Sequence, residues 1–114
     1  MAVSLDVQET TDVLILNPKG NLIELSDGDD LLFEIDNHSD ALKVLINCQQ
    51  IKHLNSTGIN VLLKAFTQIR NRGGELALCS LSKNIEKILI ITKLNSIFSV
   101  FPTMEAALTY LKKQ

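Results

Sequence analysis

Residues 43–63 read Lys43-Val44-Leu45-Ile46-Asn47-Cys48-Gln49-Gln50-Ile51-Lys52-His53-Leu54-Asn55-Ser56-Thr57-Gly58-Ile59-Asn60-Val61-Leu62-Leu63. The stretch opens on an apolar run, Lys43 to Asn47, with the length and composition of a buried strand. It closes on a helical pattern, since Ile59, Leu62, Leu63, Phe66 and Ile69 fall on one side of a helix. Between the two stands Asn55-Ser56-Thr57-Gly58, with Ser56 or Thr57 where a helix N-cap belongs. Gly58 permits close approach of another chain. The spacing alone is satisfied by an ordinary capping hydroxyl. It also suits an anion site, because the first N–H groups of a helix lack internal partners and its dipole favours negative charge there. A phosphate on Ser56 would add roughly −1.5 to −2 charges at a place its own domain tolerates and a docked protein does not.

Outward from this stretch the periods alternate. Leu5-Asp6-Val7-Gln8-Glu9 and Val13-Leu14-Ile15-Leu16 read as a hairpin turning at Thr11-Asp12, with Pro18 and Gly20 ending its second strand. Residues 24–40 carry Glu24, Asp27, Asp29, Asp30, Glu34, Asp36 and Asp40 and no Lys or Arg. Within them Leu31, Leu32 and Ile35 fit one helical face, its start complemented by carboxylates. Gly73-Gly74 stops the helix that follows Gly58, and Glu75-Leu76-Ala77-Leu78-Cys79 is a further strand. Ser82 is placed to cap a short helix bearing Ile85, Ile88 and Leu89, although the run Ile88–Ile91 also has strand propensity. Phe98–Phe101 reads as a short extended piece. Pro102-Thr103 opens a last helix with Met104, Ala107, Leu108 and Leu111 on one face. The order predicts an α/β fold: a single domain over 1–114, with a central mixed β-sheet made of an N-terminal hairpin and then parallel strands, and about four helices packed against it.

Composition narrows the function. The chain has 114 residues, 46% hydrophobic and 21% charged, with no Trp, so its core is aliphatic. A net charge of −2 argues against a direct nucleic-acid binder, which needs a basic surface. No run approaches the ~20 apolar residues that span a bilayer, and the start Met1–Asp6 lacks a basic, apolar signal, so no membrane insertion and a cytoplasmic location are expected. Cys48 and Cys79 have the alternatives of a disulfide, a pair of metal ligands or two buried thiols, and a reduced compartment favours the last. No P-loop, dinucleotide fingerprint or metal-binding helix appears, so neither cofactor nor metal is expected.

The ordered set of motifs resembles STAS domains, the family of bacterial anti-sigma factor antagonists. The strand at 43–47 and the Asn55-Ser56-Thr57-Gly58 turn match the family's central signature. Gly20-Asn21-Leu22-Ile23-Glu24 resembles its Gly-x-Leu/Ile-Asp turn, Arg72-Gly73-Gly74-Glu75-Leu76 the turn before the next strand, and Leu94, Phe98 and Thr103–Leu108 its C-terminal pattern. The resemblance implies a non-enzymatic, partner-switching regulator of transcription. Its partners would be an anti-sigma factor that is also a GHKL-type serine kinase, and a serine phosphatase. Ser56, less readily Thr57, would be the phosphorylation site. Asn21, Leu22, Ile23, Asn55, Ser56, Thr57, Gly58, Ile59 and Asn60 would form the partner-binding surface. Asn47 and Asn55 depart from the family, which has Asp at both. That departure keeps a second expectation open, a STAS docking subunit of an ABC lipid-transport complex that is never phosphorylated.

Three features stay two-sided on the sequence. His53, three residues before Ser56, would be the base of a small enzyme or a plain loop histidine, with no acid nearby to orient it. Val61 and Ala65 either widen the core face or form a docking stripe. Ile90 and Ile91 either bury or make a patch for weak homodimerisation.

Overall fold

Two cores, one on each face of a sheet, explain why the strands read as continuous apolar runs. In the computed structural model, which describes residues 3–10, 12–22 and 28–113, Leu14, Leu16, Val44, Ile46, Leu76 and Leu78 enter one core. Their alternate neighbours Val13, Ile15, Leu45, Ala77 and Cys79 enter the other. A strand covered on both faces has no polar side to show.

The elements run β1 (Val3–Glu9), β2 (Leu14–Leu22), α1 (Asp29–Asn37), β3 (Lys43–Asn47), β4 (Ile51–Leu54), α2 (Ser56–Asn71), β5 (Glu75–Cys79), α3 (Lys83–Ile91), a 3-10 turn (Leu94–Ser96), β6 (Ser99–Phe101) and α4 (Met104–Lys112). The six-stranded sheet has the order β1-β2-β3-β5-β6, with β4 beside β2. Only β1 is antiparallel to its neighbour; the other pairings are parallel. The expected mixed sheet with four helices is the architecture found. α1, α2 and α3 cover the first face with Leu31, Ile35, Ile59, Leu62, Ile69, Ile85 and Leu89. α4 covers the second, burying Ala107 and Leu111 completely; full burial of a leucine of this kind is worth about 2 kcal/mol.

The second strand does not end at Pro18 and Gly20. β2 continues to Leu22, paired with β1 throughout from Val3↔Gly20 to Glu9↔Leu14. On its other side it pairs with β3 at Leu14–Leu16 and with β4 at Gly20–Leu22. Pro18 falls in the gap between those partners, where a missing N–H costs no ladder bond. Gly20 supplies φ +116° at the register shift that follows. β4 is likewise an addition, since residues 48–54 read as loop.

Local chemistry sets the helix ends. α1 carries Asp29 and Asp30 in its first turn, as the dipole prefers. α2 ends in a Schellman turn: Gly74 N–H donates to the Ile69 carbonyl at 2.8 Å and Gly73, at φ +80°, donates to Arg70 at 3.0 Å. Ser82 and Thr103 cap α3 and α4 by accepting from the N–H groups of Ile85 and Ala106. The Ile88–Ile91 run is therefore helical. Val61 and Ala65 are core residues, 2% and 0% exposed, and form no docking stripe. Ile90 and Ile91 lie outside, 59% and 79% exposed.

Candidate functional site

The site grows from the place where β3 gives way to β4. Asn47, the last residue of β3, donates from Nδ2 to Asn17 Oδ1 at 3.0 Å. Its own Oδ1 accepts from the Gln49 N–H at 3.1 Å and from the Cys79 thiol at 3.7 Å. Asn17 in turn reaches the Asp6 carbonyl on β1 at 3.4 Å. A carboxylate at 47 could accept but never donate to Asn17, so the amide fits this arrangement in a way an ionised Asp would not. These bonds fix the Cys48–Gln50 reversal, after which Gly20 N–H donates to the Gln50 carbonyl at 3.0 Å and β4 begins.

β4 then delivers the chain to α2. Asn55, extended at φ −125°, is the N-cap: its Oδ1 accepts from the Gly58 N–H at 3.1 Å. The capping role expected of Ser56 or Thr57 thus belongs to Asn55, because the helix starts one residue earlier than the hydroxyl pattern implied. Ser56 is the first helical residue and is exposed, with its hydroxyl outside the capping bonds. Thr57 is half-buried, Gly58 and Ile59 are buried in the α2 packing face, and Asn60 is exposed. The N–H groups of Ser56 and Thr57 have no intrahelical carbonyl to bond, as at any helix start.

The register of β2 on β4 brings the two turns together. Asn21 pairs with His53 and Leu22 with Leu54, one residue before Asn55. Asn21, Leu22 and the 55–60 segment therefore share one end of the sheet. Ile23, Glu24 and Asp27 lie outside the described residues. Asn55 Oδ1 and the β2–β4 pairing were missed in the sequence because an Asn before a Ser-Thr pair is one capping candidate among three.

Other candidates fall elsewhere. His53 is exposed on β4 and makes no hydrogen bond to Ser56. Cys48 and Cys79 are buried free thiols serving opposite cores. Burial, and secondarily the neighbouring Cys79, pushes the Cys48 thiol far up; burial also raises Cys79. Among the described residues no group of His, Cys, Asp and Glu is placed to hold a metal, and no helix is long and apolar enough to cross a membrane.

With this geometry in place, comparison with known proteins is decisive at the level of the family. The family model of the STAS domain matches residues 4–107. The chain belongs to the STAS domain family. A 70-residue stretch is 31% identical to the proposed anti-sigma factor antagonist BtrV of Bordetella bronchiseptica, covering 61% of this chain and 60% of that protein. The chain thus spans about six-tenths of the length of the curated relatives it matches. Its fold is that of a proposed anti-sigma factor antagonist from Thermotoga maritima, at TM-score 0.84 and 20% identity over 95% of this chain and 94% of the other. It is also that of the Bacillus cell fate determinant SpoIIAA in its phosphorylated form, at TM-score 0.70 and 17% identity over 96% and 98%.

Proposed function

We propose that this STAS domain is a partner-switching regulator that binds an anti-sigma factor with serine kinase activity and is released when Ser56 is phosphorylated. The observation that carries the reading is the exposed hydroxyl of Ser56 at the first position of α2, left unengaged because Asn55 does the capping. In the transfer the Ser56 oxygen attacks the γ-phosphorus of ATP, the hydroxyl proton leaves, and ADP departs. The domain is the substrate of this step and supplies no catalyst.

The consequence is steric and electrostatic. A phosphate at Ser56 faces the positive end of α2, so the domain keeps its fold. A protein lying flush on Asn21, Leu22 and residues 55–60 meets a bulky, hydrated dianion and is displaced. The neutral amide of Asn55 beside the acceptor removes the repulsion that the family's Asp would exert on that phosphate. The partial likeness to proteins named as anti-sigma factor antagonists supports the reading. A serine phosphatase would return the cycle to its start.

The test is to incubate the protein with ATP and a candidate kinase-type anti-sigma factor from the same genome, then to map phosphate by mass spectrometry. One phosphate is expected, on Ser56, absent in Ser56→Ala. Phosphate confined to residues outside 55–58, or a complex indifferent to Ser56→Asp, overturns the proposal.

A further inference from the structure

The charges of this chain are sorted along it. Residues 1–40 hold ten of the 13 acidic side chains and a single base, Lys19; residues 41–114 hold ten of the 11 Lys and Arg and three acids. Members of both populations lie near the start of α2, whereas Arg70 and Arg72 lie at its far end. α1 lies along α2 in the same direction: Gly28, at its start, is so close to Val61 that a Cβ there would sit 2.5 Å from the valine methyls. At its other end the Ile35 carbonyl is bonded to Arg72. Asp29 and Asp30 therefore stand at the end where α2 begins.

On the other flank β4 and α3 enclose a cleft of about 220 Å³. Lys52, His53 and Leu54 wall it from β4, and Asn84, Lys87 and Ile88 from α3. His53 and Leu54 lead in sequence directly into Asn55, so the cleft borders the strand that delivers the chain to the turn. Lys52, Lys83 and Lys87 are exposed and make no ion pair among the described residues.

One lysine on α3 is placed against the rules of helix stability. Lys83 is the first residue of α3, where the dipole disfavours a cation, and Lys87 stands one turn further along, with Glu86 as the acid of that first turn.

We infer that this cleft receives a carboxylate-bearing segment of the partner that docks on the Ser56 turn. The inference rests on the antagonist reading and deepens it by naming the chemistry of the partner's second contact. Complementary charge then fixes the partner's orientation across the turn and accelerates encounter. A nucleic acid is the poorer fit, because three lysines and a histidine on a chain of net charge −2 give no basic track for a phosphate backbone.

Two measurements test it. In calorimetry with the kinase-type anti-sigma factor, the Lys52→Glu/Lys87→Glu variant should bind at least about tenfold more weakly than wild type, and Lys52→Gln/Lys87→Gln should show a reduced salt dependence. Wild-type affinity in both variants overturns the inference, whereas failure of the wild type to bind overturns the antagonist reading instead. Independently of any partner, an amide NMR titration with a blocked Glu-Gly repeat peptide should shift resonances of residues 52–54 and 84–88, and those shifts should vanish in the Glu variant. Shifts scattered over the surface, or an equal response to inorganic phosphate or to oligothymidine, overturn the cleft as a carboxylate receptor.

Discussion

Arg72, just past the end of α2, caps a helix other than its own: its Nη2 donates to the Ile35 carbonyl of α1 at 2.9 Å. Nη1 bonds the His38 carbonyl at 2.6 Å and lies 3.3 Å from that of Ala41. The guanidinium thereby satisfies the open C-terminal carbonyls of α1 and places a cation at the negative end of its dipole. Arg72→Ala should lower stability by about 2 kcal/mol, read as a lower urea midpoint. Arg72→Lys should recover less than half of that, since a single ammonium cannot span the same carbonyls.

The division of labour at the start of α2 predicts opposite results for neighbours. Asn55→Ala removes the bond to Gly58 and should cost about 1 kcal/mol. Ser56→Ala touches an exposed side chain that caps nothing, so its effect should stay within about 0.5 kcal/mol. Chemical denaturation of both variants checks this. A loss at Ser56 equal to that at Asn55 would restore the capping role to the serine.

Gly28 and Val61 are a lock between α1 and α2. Gly28→Ala drives a methyl into Val61 and should destabilise by about 1–3 kcal/mol. Adding Val61→Ala relieves the clash, so the double variant should be more stable than the sum of the two single losses implies, with a coupling of at least about 0.5 kcal/mol in a double-mutant cycle.

Alkali should unfold the protein from two directions. Burial raises both thiols, and the hydrogen bond to Glu75, more than burial, raises the Tyr110 phenol. A group whose pKa is higher when folded contributes fully below its unfolded value and loses that contribution as pH climbs through the interval up to the folded one. Stability should therefore hold up to about pH 8.5, fall as the thiols of the unfolded chain ionise, and fall more steeply above about pH 10 as its tyrosine follows. Tyr110→Phe should remove the second step from a plot of urea midpoint against pH. The same burial predicts that a thiol reagent at neutral pH labels Cys48 and Cys79 only as fast as the domain opens, so labelling should accelerate in parallel with urea.

Much of this was legible in the sequence because burial on both faces leaves an unmistakable print. Lys43–Asn47 and Glu75–Cys79 are the strands expected, and the helix after Gly58 ends at the glycine pair. What escaped is what tertiary pairing alone decides. Pro18 looks like a terminus until one sees that β3 and β4 leave a gap opposite it. Ile51–Leu54, with one buried residue, carries too little pattern to declare a strand. Val61 belongs to the core because the start of α1 lies against it, a contact no periodicity contains. The turn at Ser56 was legible as a motif, but which of three adjacent polar residues closes the helix depended on where the backbone leaves its extended conformation.

The rear face of the sheet has consequences for how the protein comes into being. Val13, Ile15, Leu45 and Ala77 are sealed by α4 among the described elements, and α4 comes later in the chain than every strand it covers. Until Ala107 and Leu111 arrive, a nascent chain that already displays the Ser56 turn carries an open greasy back. A fragment released before α4 is made would therefore present that uncovered face to proteases and chaperones.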